Sequence, residues 1–129
     1  MTRPASKYPT ELELEILKIL WRDGPGPVRQ IRDALAETRD LAYTSVMTMM
    51  NIMADKGYVR RMRKGGGYVY RPRVTRQWTA RQMLGDVVAR VFDGSAGAAA
   101  LHLLETGEID AEELAELRRL LKAKGEKES

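Results

Sequence analysis

The chain has 129 residues, no cysteine and a net charge of +4. Disulfides, cysteine-ligated zinc and thiol catalysis are thereby excluded. No run approaches the roughly 18 apolar residues of a membrane span. The N-terminal MTRPASKYPTELE lacks the apolar core of a secretory signal, so the cytoplasm is the expected compartment. The charge is unevenly placed: residues 1–75 hold 14 lysines and arginines against 8 acids, and residues 76–129 hold 8 against 10. A basic first half can attract a polyanion, and an acidic second half is a poor phosphate binder.

A first helix is predicted from Thr10, where Thr10 and Glu13 have the spacing of a capping box. Leu12, Ile16, Ile19 and Leu20 recur at helical spacing and Trp21 closes the run. Glu11, Glu13 and Glu15, near the helix start, read as a solvated face complementing the helix dipole. The run Asp23-Gly24-Pro25-Gly26-Pro27 must stop this helix, and Val28, Ile31 and Leu35 mark the apolar face of a second. A polar connector, Glu37 to Asp40, leads to a third helix over Tyr43 to Lys56, with Gly57 as its C-cap.

In that third helix Val46, Met49, Met50 and Met53 follow the spacing of a core-facing stripe. The opposite face offers Thr44, Ser45, Met47, Thr48 and Asn51. Short hydroxyl and amide groups suit close approach to a major groove. Threonine methyls and Met47 can touch thymine methyls, and Asn51 can pair with adenine. A preference for A·T-containing sites is therefore expected.

Two short β-like runs follow, Tyr58 to Met62 and Tyr68 to Arg71, around the turn Arg63-Lys64-Gly65-Gly66-Gly67. Arg60, Arg61, Arg63 and Lys64 are the expected phosphate contacts of this hairpin. Three helices and then a hairpin is the order of a winged helix-turn-helix. Strand-like flanks argue against a nucleotide-binding glycine loop, which opens onto a helix. Pro72 and the polar run to Gln77 read as a linker, giving a DNA-binding domain over 1–75 and a helical domain over 76–129.

Beyond the linker, Trp78 to Phe92, Ala96 to Leu104 and a last helix from the Asp110–Glu113 capping box are expected, with Ser95 as an N-cap and a frayed tail after Gly125. Glu112, Glu113 and Glu116 read as a solvated start to the last helix. Leu84, Val87, Val88, Val91, Leu101, Leu104, Leu114, Leu117, Leu120 and Leu121 line one side of these helices. About fifty residues seldom bury such faces alone. A second copy of the chain covers them in one reading, giving a homodimer. In the other they fold back onto the first domain.

Bland readings account for the remaining features. Four of the seven methionines lie between Met47 and Met53, and three of those are on the predicted core face, so Cu(I) ligation is not needed to explain them. His102 is the only histidine, which excludes a histidine cluster within one chain. No nucleophile–base pair emerges, so no enzyme and no cofactor are expected. The expected class is mainly α with a small β-hairpin, a winged helix-turn-helix domain plus a C-terminal helical dimerisation domain. A winged-helix protein-interaction module and a small-molecule-gated regulator remain alternatives.

Three segments, PTELELEILKILWRDGPGPVRQIRDAL, LAYTSVMTMMNIMADKGYV and GGGYVYRPRV, resemble the penicillinase-repressor family of transcriptional repressors (the BlaI/MecI type). GEIDAEELAELRRLL is similar to the family's last helix. The resemblance implies a homodimeric winged-helix repressor whose partner is double-stranded operator DNA, read as an inverted repeat with TACA/TGTA-like half-sites. It assigns DNA recognition to Tyr43, Thr44, Ser45, Met47 and Thr48, and wing contacts to Arg63 and Lys64. This chain departs from the pattern at Ile52, where arginine is frequent, and at Pro27, where a threonine N-cap is frequent. The family's Asn-Phe cleavage site falls at His102-Leu103, so release by an inducing protease is not implied, and the sensor is open. The cysteine motif of copper-responsive members is missing.

Overall fold

The computed structural model describes residues 8–128. Its elements run α1 (Glu11–Asp23), α2 (Val28–Leu35), α3 (Tyr43–Lys56), β1 (Val59–Lys64), β2 (Gly67–Pro72), α4 (Arg76–Val91), α5 (Ala96–Thr106) and α6 (Ala111–Glu128). The chain forms two compact units, Met1–Gly85 and Asp86–Ser129. The boundary lies inside α4, ten residues beyond the expected division at residue 75. The expected linker is short, because β2 runs to Pro72 and Thr75 already receives the Trp78 amide on its hydroxyl, at 3.0 Å.

Local signals set the helix starts. Thr10 and Glu13 form a reciprocal capping box, and Asp110 and Glu113 form another. Ser95 Oγ accepts the Ala98 amide at 3.0 Å and opens α5. Pro27 caps α2 without a side-chain hydrogen bond. Gly57 ends α3 at φ 85°, a left-handed backbone that costs glycine little. Gly125 does not break α6, which continues to Glu128; one helical glycine costs only about 1 kcal/mol.

The core of the first unit is built from Ile16, Leu17 and Leu20 of α1, Val28, Ile31 and Leu35 of α2, and Val46, Met50 and Met53 of α3. Tyr58, Val59 and Tyr70 close it from the hairpin side, and Met49 packs at its edge. Transfer of such side chains from water, at about 1.5–3 kcal/mol each, is the main stabilising term. Glu13 does not lie on a solvated face. It is 1% exposed, its Oε1 accepts the Thr10 amide at 2.8 Å, and its Oε2 accepts Lys56 Nζ at 2.9 Å. The carboxylate thus joins the start of α1 to the end of α3, and both oxygens are satisfied. Glu15 is half-buried and pairs with Arg39. Trp21 Nε1 donates to the Val74 carbonyl at 3.0 Å, and Arg76 lies over the Trp21 ring, which fastens the segment after β2 to α1.

The hairpin is tighter than its sequence suggests. β1 and β2 pair antiparallel from Val59↔Pro72 to Lys64↔Gly67, so Arg63 and Lys64 are strand residues and the turn is Gly65-Gly66 alone. Both turn glycines have positive φ, 58° and 80°, as a two-residue type I′ connection requires. The α1–α2 loop joins the sheet through one bridge: Gly26 donates to the Tyr70 carbonyl at 3.1 Å and receives the Tyr70 amide at 2.9 Å.

In the second unit, residues 86–127 include none that is buried. Leu101, Leu103, Leu104, Leu114, Leu120 and Leu121 are exposed, Leu121 by 62%. Val87 and Val91 are exposed, whereas Val88 and Leu117 are half-buried. His102 is exposed on α5, with its ring 5.9 Å from that of Phe92. Among the described residues, no single helix is long and apolar enough to cross a membrane.

Candidate nucleic-acid interface

Helix α3 separates its two faces cleanly. Val46, Met50 and Met53 are buried, while Tyr43, Thr44, Ser45, Met47 and Thr48 are exposed. Thr48 Oγ1 donates to the Thr44 carbonyl at 2.9 Å. Its proton is therefore committed to the helix, and the side chain offers a methyl group and oxygen lone pairs outward. Ile52 continues the Thr44–Thr48 stripe and is exposed. An apolar side chain thus ends the exposed hydroxyl stripe.

Asn51 differs from its expected placement on the open face. It is half-buried, and its Oδ1 accepts both Arg61 Nη1 at 3.2 Å and the Tyr70 hydroxyl at 3.3 Å. A carboxamide oxygen so engaged ties α3 to both strands of the hairpin. The adenine-pairing geometry, which uses both ends of the amide, is not preset in this arrangement.

Strand alternation sorts the hairpin cations. Arg61 and Arg63 share a face of β1, and their cross-strand partners are Tyr70 and Tyr68. Both guanidinium groups lie over the exposed Tyr68 ring, at 4.8 Å and 5.8 Å from its centroid. The ring holds the two cations in place through its π face. Arg60 and Lys64 occupy the other face with Met62. Among the described residues, Arg60, Arg63 and Lys64 form no ion pair with an acid. The cations are free to meet an external anion. Sequence reasoning missed the roles of Tyr68 and Tyr70, because both depend on cross-strand register; their two-residue spacing was the available signal.

Beside α3 and the hairpin lies a cleft of about 980 Å³, whose walls include Arg29, Tyr43, Met47 and Arg71. No group of three or more histidine, cysteine or acidic side chains suited to a metal occurs among the described residues.

The sequence profile described as Penicillinase repressor matches residues 9–123. Two relatives, each the transcriptional regulator BlaI of Mycobacterium tuberculosis (strains CDC 1551/Oshkosh and H37Rv), are 37% identical over 113 residues. The matched stretch covers 86% of this chain and 80% of each relative. Among solved structures, a MarR family protein from Bacillus stearothermophilus aligns with a TM-score of 0.47 and 17% identity, covering 92% of this chain and 74% of its own. The oxidised form of MarR from E. coli aligns with a TM-score of 0.47 and 19% identity, covering 89% and 74%. With a match over residues 9–123 and 37% identity to a curated relative over most of both chains, this chain, whose first unit carries three helices and a hairpin, belongs to the penicillinase-repressor family, and it is a transcriptional repressor rather than an enzyme.

Proposed function

We propose that the protein works as a homodimer that represses transcription by binding an inverted-repeat operator with TACA/TGTA-like half-sites. The observation that carries this reading is the exposed hydroxyl-and-methyl face of α3, set beside a hairpin whose cations form no ion pair among the described residues. Each protomer lays Tyr43, Thr44, Ser45, Met47 and Thr48 along a major groove. Arg60, Arg63 and Lys64 contact the flanking phosphates, with Arg61 held between Asn51 and Tyr68. Methyl groups and short hydroxyls favour thymine-containing edges. Phosphates supply most of the affinity, so binding falls steeply with salt.

Dimerisation explains the exposed leucines of α5 and α6 and, with them, Leu84, Val87 and Val91 of α4. A two-fold pair sets the half-sites about one helical turn apart, roughly 10 bp. The protein then acts in the cytoplasm, alongside the DNA it represses.

Mobility shift of the purified protein on the DNA upstream of its own gene tests the reading, with excess nonspecific competitor and a salt series. A competitor-resistant complex with two protomers per site is expected. Binding that competitor abolishes on this DNA and on selected genomic fragments alike overturns it. Leu121→Asp tests the dimer. Leu121 is exposed, so a charge there spares the protomer, and sedimentation should show a monomer with weakened operator binding.

A further inference from the structure

Seven methionines hold all the sulfur of this chain, which has no cysteine. With no thiol to intercept them, two-electron oxidants meet thioether sulfur first. Burial sorts these sulfurs. Met50 and Met53 are fully buried, and Met49, Met62 and Met83 are half-buried. Met47 is the one exposed methionine among the described residues, at 38%. It stands on the open side of α3 with Thr44, Ser45 and Thr48. It also lines the same cleft as Arg29, Lys64 and Arg71. Among the described residues none of these three cations forms an ion pair. A thioether is a weak acceptor and offers them little. A sulfoxide is polar, and its oxygen accepts hydrogen bonds from such donors.

Oxidation therefore acts differently on the two states of the protein. In the free chain the new oxygen has water and cationic donors to accept from. Against a thymine methyl it has none, and a polar atom is desolvated without a partner. A modification that one state tolerates and the other does not shifts the balance between them. We propose that Met47 is an oxidation site, that hypochlorous acid converts it to the sulfoxide, and that the sulfoxide releases the protein from DNA. The proposal rests on the DNA-binding reading above and adds a regulatory input to it. The sulfur lone pair displaces hydroxide from chlorine and forms an S–Cl bond. Water attacks that sulfur, chloride leaves with the bonding pair, and two protons are lost, one of which neutralises the hydroxide. Sulfur is oxidised by two electrons and chlorine is reduced to chloride. A sulfoxide reductase returns the thioether.

The test treats the full chain with sodium hypochlorite, about one equivalent per protomer, and stops the reaction with free methionine. Anisotropy then measures binding to the upstream DNA used for the mobility shift. Peptide mass spectrometry should place the first added oxygen on Met47, ahead of Met50 and Met53. Affinity should fall about tenfold, the scale of one buried acceptor left without a donor. Methionine sulfoxide reductase with dithiothreitol should restore it. Met47→Leu should lose no further affinity on the same treatment, whatever its own starting value, whereas Met62→Leu should lose as much as the wild type. If protein carrying the Met47 sulfoxide binds as the untreated protein does, the proposal is overturned and the DNA-binding reading stands. If the loss appears instead with sulfoxide at Met50 or Met53 and a lowered melting temperature, the core has been damaged and the proposal is again overturned. Untreated protein that binds no duplex overturns the DNA-binding reading and this proposal with it.

Discussion

Asn51 on α3 and Tyr70 on the second strand of the hairpin meet through a 3.3 Å hydrogen bond, although 19 residues separate them in sequence. Tyr70 is buried, so its hydroxyl has little access to water as a substitute acceptor. Loss of such a partner costs about 1–3 kcal/mol. Asn51→Ala should therefore lower the unfolding free energy by about 1–2 kcal/mol. A double-mutant cycle with Tyr70→Phe should return a coupling of about 0.5–1 kcal/mol in urea unfolding. Strict additivity would mean that the bond fixes nothing.

The Glu13–Lys56 pair is asymmetric. Glu13 is 1% exposed and Lys56 is 29% exposed. Removing the lysine strands a buried carboxylate, whereas neutralising the glutamate leaves an ammonium that can turn to water. Lys56→Met should thus cost about 3 kcal/mol and Glu13→Gln nearer 1 kcal/mol, with the double variant resembling Glu13→Gln. Guanidinium unfolding of the three proteins measures this, and equal costs for the single variants would contradict it.

Tyr58 supplies an alkaline limit. Burial, and after it the nearby Glu13 carboxylate, raises the phenol above its ordinary value of 10.0. The unfolded chain then releases this proton first as pH rises. The stability tied to the neutral phenol is complete below about pH 10 and is lost as pH climbs from there through the raised native value. Tyr58→Phe should show a shallower fall of melting temperature above pH 10 than the wild type. An unchanged slope would place the alkaline limit elsewhere.

The Gly65-Gly66 turn needs positive φ at both positions, 58° and 80°. Gly65→Asn should be tolerated, because asparagine accepts the left-handed region and Asn-Gly suits this turn. Gly65→Val should cost about 1–2 kcal/mol. It should also weaken DNA binding, since the turn sets the register that aligns Arg61 and Arg63 over Tyr68. Melting and anisotropy together read both effects.

Much of the architecture is legible in the sequence where the governing interactions are local. Thr10–Glu13, Asp110–Glu113 and Ser95 announce three helix starts, because each cap is closed within three residues. The stripe Val46, Met50 and Met53 announces the buried side of α3 for the same reason. What escapes is long-range. Glu13 reads as an exposed dipole partner until Lys56, 43 residues away, comes to meet it. Asn51 reads as available for a base until the hairpin folds over its flank. Arg63 and Lys64 read as turn residues because glycines and cations both suggest loop, yet register pairs them with Tyr68 and Gly67. The end of α6 is misplaced by sequence because one glycine late in a helix lowers its propensity without providing a stop.

The bridge between Gly26 and Tyr70 joins segments 44 positions apart, and the two glycines of the turn make the hairpin itself a purely local structure. Pairing the strands is therefore local in sequence, whereas docking them requires the α1–α2 loop to be in place. The Gly26 amide becomes a built-in reporter of that docking. Its exchange with deuterated water is blocked only while the hairpin is seated, so its protection factor measures how often the wing swings free. Bound DNA that spans helix and hairpin should slow that one amide more than its neighbours in α1, turning a single backbone proton into a clock for wing opening.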